Sequence, residues 1–305
     1  MAELNWTDAQ WQTVNDAVTE AFGAASVSSA LLPMYGPLAG STETVRNERI
    51  DLQVGGGRAT PGVIRLDADH DSVNLRLVNL TVNVELTSEQ VADESLSNAQ
   101  FAFRRAANIL ALEQDRVVFA GYRRGFASEN STFVMNQVDP QKGLADLPAR
   151  VNFPTIPTTG RLGGLVVPAV VNAMTTLERD LNPGPFGCVL GNTLYIAVHN
   201  PSASLVLPAD RITPILKGGP LLRSAQIDPE TGIVVSLASN AVDVVVGSPP
   251  SAQFLQRQGN GRFLFRTYLR FALRIRDTAR SPIGGFRLLP SAQFISQERA
   301  RLNSL

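Results

Sequence analysis

Apolar residues Phe103, Ala106, Ile109, Leu110 and Val117 recur at steps of three and four along residues 96–125, the repeat of one helix face. Ser97 or Asn98 can cap the start of this segment, and Gly121 or Gly125 its end. The spacing predicts a spine helix of about seven turns, roughly 35 to 40 Å long. A second stripe, Trp11, Val14, Val18 and Phe22, predicts a helix over residues 5–22. Thr7-Asp8-Ala9-Gln10 before it has the form of a capping box. A third helix is expected over residues 163–181, with Pro168 in its first turn and Asn182-Pro183-Gly184 past its end. A short one is expected over residues 210–217.

Elsewhere the period falls to two. Residues 49–54 alternate, Gly55 to Gly62 interrupt, and an extended segment resumes at Val63. Val73, Leu75 and Leu77 alternate, then Val78, Leu80, Val82, Val84 and Leu86 continue one residue out of phase. That slip predicts a bend where the buried face changes. Asp69-His70-Asp71 is expected in a turn between strands, and residues 31–40, punctuated by Gly and Pro, in an ordered turn that is neither helix nor strand. Residues 127–163 read as a long connection with short extended pieces. Three strands are expected over residues 221–227, 232–237 and 241–246. Residues 262–276 form the clearest strand: Phe263, Phe265, Leu269, Phe271, Leu273 and Ile275 share one face, and Arg262, Arg266, Arg270, Arg274 and Arg276 the other. Pairing of these arginines with acids of a neighbouring strand, helix or subunit is the expected role.

Charge refines the picture without dominating it. The 305 residues hold 27 basic and 27 acidic side chains, so no bulk charge draws the chain to nucleic acid or a membrane. Acids Glu3, Asp8, Asp16, Glu20 and Glu43 occupy the first 45 residues without a base, whereas residues 257–287 hold eight arginines and one acid, Asp277. Only Lys142 and Lys217 are lysines. Arginine is favoured at interfaces where planar, multidentate pairing is required, and an arginine-rich codon bias gives the same composition. Cys188 is the single cysteine, which excludes an internal disulfide and any cysteine-based metal cluster. Residues 1–11 lack the pattern of a signal peptide, and no apolar run reaches the ~20 residues that cross a bilayer. A cytoplasmic protein is expected.

Catalytic patterns are missing. His70 and His199 are the only histidines, too few for a zinc cluster with one cysteine. There is no nucleophile elbow, and Gly55-Gly56-Gly57 lacks the Lys and helix of a phosphate loop. No catalytic residue, cofactor or metal is expected.

Three motifs carry a family resemblance. Glu113-Gln114-Asp115-Arg116-Val117-Val118-Phe119-Ala120-Gly121-Tyr122 resembles a run found in encapsulins, bacterial shell proteins with the fold of tailed-phage major capsid proteins. Tyr35-Gly36-Pro37-Leu38-Ala39-Gly40 is similar to the segment after their first helix. Gly184-Pro185-Phe186-Gly187-Cys188-Val189-Leu190 through Tyr195 is similar to the entry of their apical domain.

The resemblance implies an α+β fold like that of tailed-phage major capsid proteins, with an N-terminal helix and arm over residues 1–43 and an E-loop, a ribbon that pairs with a neighbouring subunit, over residues 44–86. It implies a peripheral domain over residues 87–183, an apical domain over residues 184–240, and return strands with a tail over residues 241–305. It also implies a homo-oligomeric icosahedral shell enclosing a partner with a targeting peptide, of the ferritin-like or dye-decolourising peroxidase class, for iron storage or oxidative defence. By position, His199, Asn200, Pro201, Ser202, Ala203 and Ser204 would line a pore of little charge selectivity, or else form an ordinary loop. Trp11, Val14, Val18 and Phe22 would meet the targeting peptide, or else dock on the subunit's own core. A prophage capsid protein, expected to need a scaffold segment before a helix that already starts near residue 7, and a stand-alone enzyme are the alternative readings.

Overall fold

The computed structural model describes residues 4–54, 64–121, 142–145, 155–158, 162–201, 206–238, 241–276 and 281–290. The chain divides into two compact units, one of residues 1–47, 71–143 and 243–274, the other of residues 48–70, 144–242 and 275–305.

The first unit begins with α1 (Asp8–Ala25), whose start is fixed by the expected capping box: Thr7 Oγ1 accepts from Gln10 N, and Gln10 Oε1 accepts from Thr7 N. A five-residue helix, α2 (Val27–Leu31), and a two-residue strand, β1 (Met34–Tyr35), follow. Residues 31–40 are therefore not simply a turn. Met34 and Tyr35 pair in parallel with Val244 and Val245, because a neighbouring strand supplies the ladder that two residues alone cannot sustain.

β2 (Thr44–Val54) and β3 (Ile64–Arg76) form a two-stranded ribbon, and β4 (Val78–Leu86) continues after the break at Leu77. Leu77 and Val78 are both buried, so the out-of-phase pattern does mark the change of face. The Asp69-His70-Asp71 segment lies inside β3 rather than in a turn. Pairing with β2 overrides the weak strand propensity of these residues.

The short α3 (Ser88–Ala92) leads into the spine, α4 (Ser97–Ala120). Its 24 residues give roughly 36 Å at 1.5 Å each, and it stops at the first candidate glycine. Gly121 has φ +78°, a conformation that favours glycine. β9 (Val242–Arg257) and β10 (Phe263–Ile275) complete a sheet of order β1-β9-β10-β4. α4 packs on β4 and α1 packs on α4, with Phe103, Ala106, Ala107, Leu110 and Ala111 of α4 buried. Trp6 stacks on Phe265 at 5.0 Å and meets Trp11 edge-on at 5.1 Å. Its indole N–H donates to Val91 O at 3.0 Å, which satisfies the polar end of an otherwise apolar side chain.

The second unit is a five-stranded sheet of order β5-β11-β8-β6-β7, formed by β5 (Thr155–Thr158), β6 (Phe186–Leu190), β7 (Leu221–Arg223), β8 (Thr231–Ser236) and β11 (Ile283–Pro290). Helices α5 (Leu162–Arg179), α6 (Asn192–His199) and α7 (Pro208–Ile215) pack with it around Val170, Leu177, Phe186, Leu194, Ile212 and Phe286. Pro168 is the seventh residue of α5, in its second turn and not its first. The amide it lacks would have bonded to the carbonyl of Gly164.

Candidate functional site

Little in the described residues resembles an enzyme centre. Among the described residues, no group of three or more His, Cys, Asp or Glu is placed to hold a metal ion. Cys188 is fully buried on β6, and burial pushes its thiol up to about 12, which removes it as a nucleophile. His199 ends α6, exposed, with Nδ1 2.8 Å from Tyr195 O and its ring 4.3 Å from that of Tyr195. Asn200 and Pro201 beside it are exposed. Ser202, Ala203 and Ser204 lie outside the described residues. No helix among the described residues is long and apolar enough to cross a membrane.

The stripe on α1 goes inward. Val14 and Val18 are 0% exposed and Phe22 is 5% exposed, packed against α4; Trp11 is half-buried in the ring cluster with Trp6 and Phe265. Val14, Val18 and Phe22 therefore pack on their own subunit, for the reason that made them periodic, since an apolar helix face buries itself on the nearest apolar surface, while Trp11 keeps part of its surface open. What α1 leaves open is a shallow groove of about 430 Å³ against α4, lined by Glu20, Ala21, Ala24, Ala25, Arg104 and Asn108. Arg104 bridges to Glu20 across it at 3.0 Å. The small alanines at every third or fourth position of α1 make the groove possible, and that spacing was present in the sequence beside the apolar stripe.

Two residues of the first motif have a role that no sequence pattern disclosed. Asp115 is 1% exposed; its Oδ1 accepts from Ser28 N at 2.8 Å and from Ser26 Oγ at 3.2 Å, and its Oδ2 accepts from Val27 N at 2.8 Å. Gln114 Nε2 donates to Ser28 Oγ at 3.0 Å and Ser29 Oγ at 3.1 Å. A carboxylate on α4 thus caps α2, which lies almost ninety residues earlier in the chain. Burial raises the Asp115 carboxyl above its ordinary 3.8, while the bonds from Ser28, Val27 and Ser26 pull it back down. Glu113, next to this network, is also raised by burial, against the opposing pull of Arg116 at 3.7 Å.

The arginine face of β10 is paired in part with acids. Arg274 makes a buried, two-pronged pair with Asp243 of the adjacent strand, at 2.8 and 2.6 Å, and lies over the Tyr35 ring at 4.7 Å. Arg262 meets Glu85 of β4 at 3.4 Å. Arg266 and Arg270 instead bond to neutral acceptors.

Known proteins place these features. A family model described as "Linocin_M18: Encapsulating protein for peroxidase" matches residues 2–266. The type 1 encapsulin shell protein EncA of Myxococcus xanthus (strain DK1622) is 22% identical over 267 residues, covering 83% of this chain and 85% of that protein. Among solved structures, the virus-like particle from Pyrococcus furiosus aligns with a TM-score of 0.64 at 14% identity, over 92% of this chain and 100% of that one. The capsid of Myoviridae phage XM1 aligns with a TM-score of 0.56 at 12% identity, over 84% and 90%. The fold is that of tailed-phage capsid proteins, and the chain belongs to the encapsulin family of shell proteins.

Proposed function

We propose that this chain is the wall subunit of an icosahedral compartment in the cytoplasm, which encloses a cargo enzyme carrying a short targeting peptide. One observation carries the reading: the family match extends from residue 2 to residue 266, through segments of both compact units, and a wall needs both. The description of that family, an encapsulating protein for peroxidase, favours a dye-decolourising peroxidase over a ferritin-like protein as cargo, and oxidative defence over iron storage. The groove between α1 and α4, not the buried stripe, is the peptide's landing place on the inner wall. His199, Asn200 and Pro201 border a pore, with neither a carboxylate nor a lysine among them.

The test is to purify the chain alone and examine it by sedimentation and negative-stain imaging. Closed particles of one size are expected, and a compact monomer at every concentration and salt would refute the proposal. Co-expression with a peroxidase, with and without its terminal peptide, then tests loading. The peroxidase should co-sediment only when it carries the peptide. Ala24→Trp, which fills the groove, should leave particles intact and lower loading; undiminished loading would move the docking site elsewhere.

A further inference from the structure

Arg270 of β10 stands where the β2–β3 ribbon joins the rest of the first unit. Its Nε donates to Asn79 Oδ1 at 2.9 Å, its Nη1 to Gly40 O at 2.7 Å and its Nη2 to Thr42 O at 2.5 Å. Gly40 and Thr42 come just before β2 begins at Thr44, and Asn79, the register partner of Arg270 on β4, comes just after β3 ends at Arg76. One guanidinium thus holds both the segment that enters the ribbon and the segment that leaves it, and all three acceptors belong to the first unit. The two segments also meet each other. Thr42 N donates to Ala39 O at 2.9 Å, which closes the entering turn, and Leu77 N donates to Glu43 O at 3.0 Å, which joins the two feet of the ribbon.

Apolar packing beneath this root is thin. Leu77, Val245 and Ala272 are its buried residues, and Leu38, Val45 and Leu75 pack against them only partly buried. Gly247 makes the room, because a Cβ there would collide with the Leu77 side chain and touch Arg270 Cβ at 3.4 Å. Among the described residues the ribbon has no third strand, and two strands alone are marginal in water. Polar ties therefore hold the root as much as burial does. The acceptors of Arg270 are uncharged and sit on two separate segments, a span that suits a planar fork of donors and not a single ammonium. Arg266, two residues earlier on the same face, is different: its Nε and Nη2 both donate to one atom, Gln253 Oε1 of β9, at 3.2 and 2.8 Å.

We propose that Arg270 is a positioning residue for assembly: it latches the root of the ribbon to β10, and copies of the chain close into particles of a single size only while that latch holds. The inference rests on the shell reading above. Leverage connects the two. β3 has 13 residues, so its far end lies up to about 40 Å from the root at roughly 3.3 Å per residue. A swing of about 5° at the root displaces that end by roughly 3.5 Å, most of the spacing between two paired strands. A loosened foot thus misplaces whatever the ribbon's far end meets in a shell.

The test compares hydrogen exchange and particle size in the parent chain and in Arg270→Gln. Exchange over residues 40–46 and 75–79 should quicken by about ten-fold or more, while residues 103–111 of α4 keep the parent rate, which separates a freed root from misfolding. Arg270→Lys, which retains the charge but not the fork, should quicken the same residues; Asn79→Ala, which removes one acceptor of the three, should do so less. Sedimentation of Arg270→Gln and Arg270→Lys should resolve several particle sizes where the parent gives one. Arg266→Gln should match the parent in both measurements. Parent-like exchange at the root in Arg270→Gln overturns the latch, and a freed root with particles of one size overturns its link to assembly. Should Arg270→Gln fail to fold, Arg270→Lys carries the same two readouts. A parent chain that forms no particles overturns the shell reading instead, and the exchange comparison still decides the latch.

Discussion

Asp115→Asn is the most informative single change, because it retains shape while altering the polarity of one atom. Both carboxylate oxygens of Asp115 face donors only: Val27 N at one, Ser28 N and Ser26 Oγ at the other. An asparagine keeps one acceptor and turns the other into an NH2 group that meets a backbone N–H head-on. One charge-assisted bond, worth about 1.5 to 3 kcal/mol, is lost, and a buried donor is left without an acceptor. Relief of the desolvation that raises this carboxyl offsets part of the loss, leaving a net of about 2 to 3 kcal/mol. The loss concentrates in α2, whose five residues cannot hold a helix unaided. Native-state hydrogen exchange of the peptide spanning residues 26–32 reads this directly, and it remains meaningful in an assembled particle, where global unfolding is not a two-state event. Exchange there should quicken by about 30- to 150-fold at tenfold per 1.4 kcal/mol, with β6 and β8 of the other unit unaffected. Exchange at residues 26–32 within threefold of the parent rate refutes the claim that Asp115 holds α2.

Thr267 is 0% exposed and its hydroxyl has no hydrogen-bond partner, so Thr267→Val, nearly the same shape, should stabilise by about 1 kcal/mol; a melting temperature that fails to rise argues that an ordered water serves that hydroxyl. Arg274→Met strips the two-pronged partner from the buried Asp243 and should cost about 3 to 5 kcal/mol, seen as a lower melting temperature and a lower yield of folded protein. Burial holds the folded Glu113 carboxyl above its ordinary 4.5, so the stability it confers is present below 4.5 and is lost as pH rises through the raised value. Glu113→Gln should remove that fall, so the variant's melting temperature relative to the parent should climb between pH 4.5 and neutrality; parallel pH profiles would count against it.

The elements that could be read from the sequence are those whose cause is local. The Thr7 to Gln10 box sits next to the helix it starts, the Leu77–Val78 slip sits at the bend it makes, and the alternation from Phe263 to Ile275 belongs to one strand. What could not be read was fixed from far away. α2 is too short to show a period and is held by Asp115 across nearly ninety residues. β1 exists only because Val244 and Val245 pair with it. The candidate site followed the same rule. The apolar stripe of α1 was visible in the sequence, but its destination was not, because periodicity reports that a face is buried without saying whether its own subunit or a partner covers it.

The same distinction locates where partners can act. α1 is anchored at three separate points of its unit: Trp6 donates to Val91 O near its start, Asn15 Oδ1 accepts from Ala252 N of β9 in its middle, and Asp115 fixes α2 just beyond its end. A helix held at both ends and in the middle cannot roll to expose Val14 or Val18 without breaking partly buried hydrogen bonds, each worth about 1 kcal/mol. Its inward face is therefore closed to partners, and its outward face, with the Glu20–Arg104 groove, is preformed. A peptide that docks there meets a surface already ordered by the Gln114–Asp115 network, so little of its binding free energy is lost to ordering the wall. The buried polar residues of the spine thus serve the shell indirectly, by fixing the face that α1 turns outward.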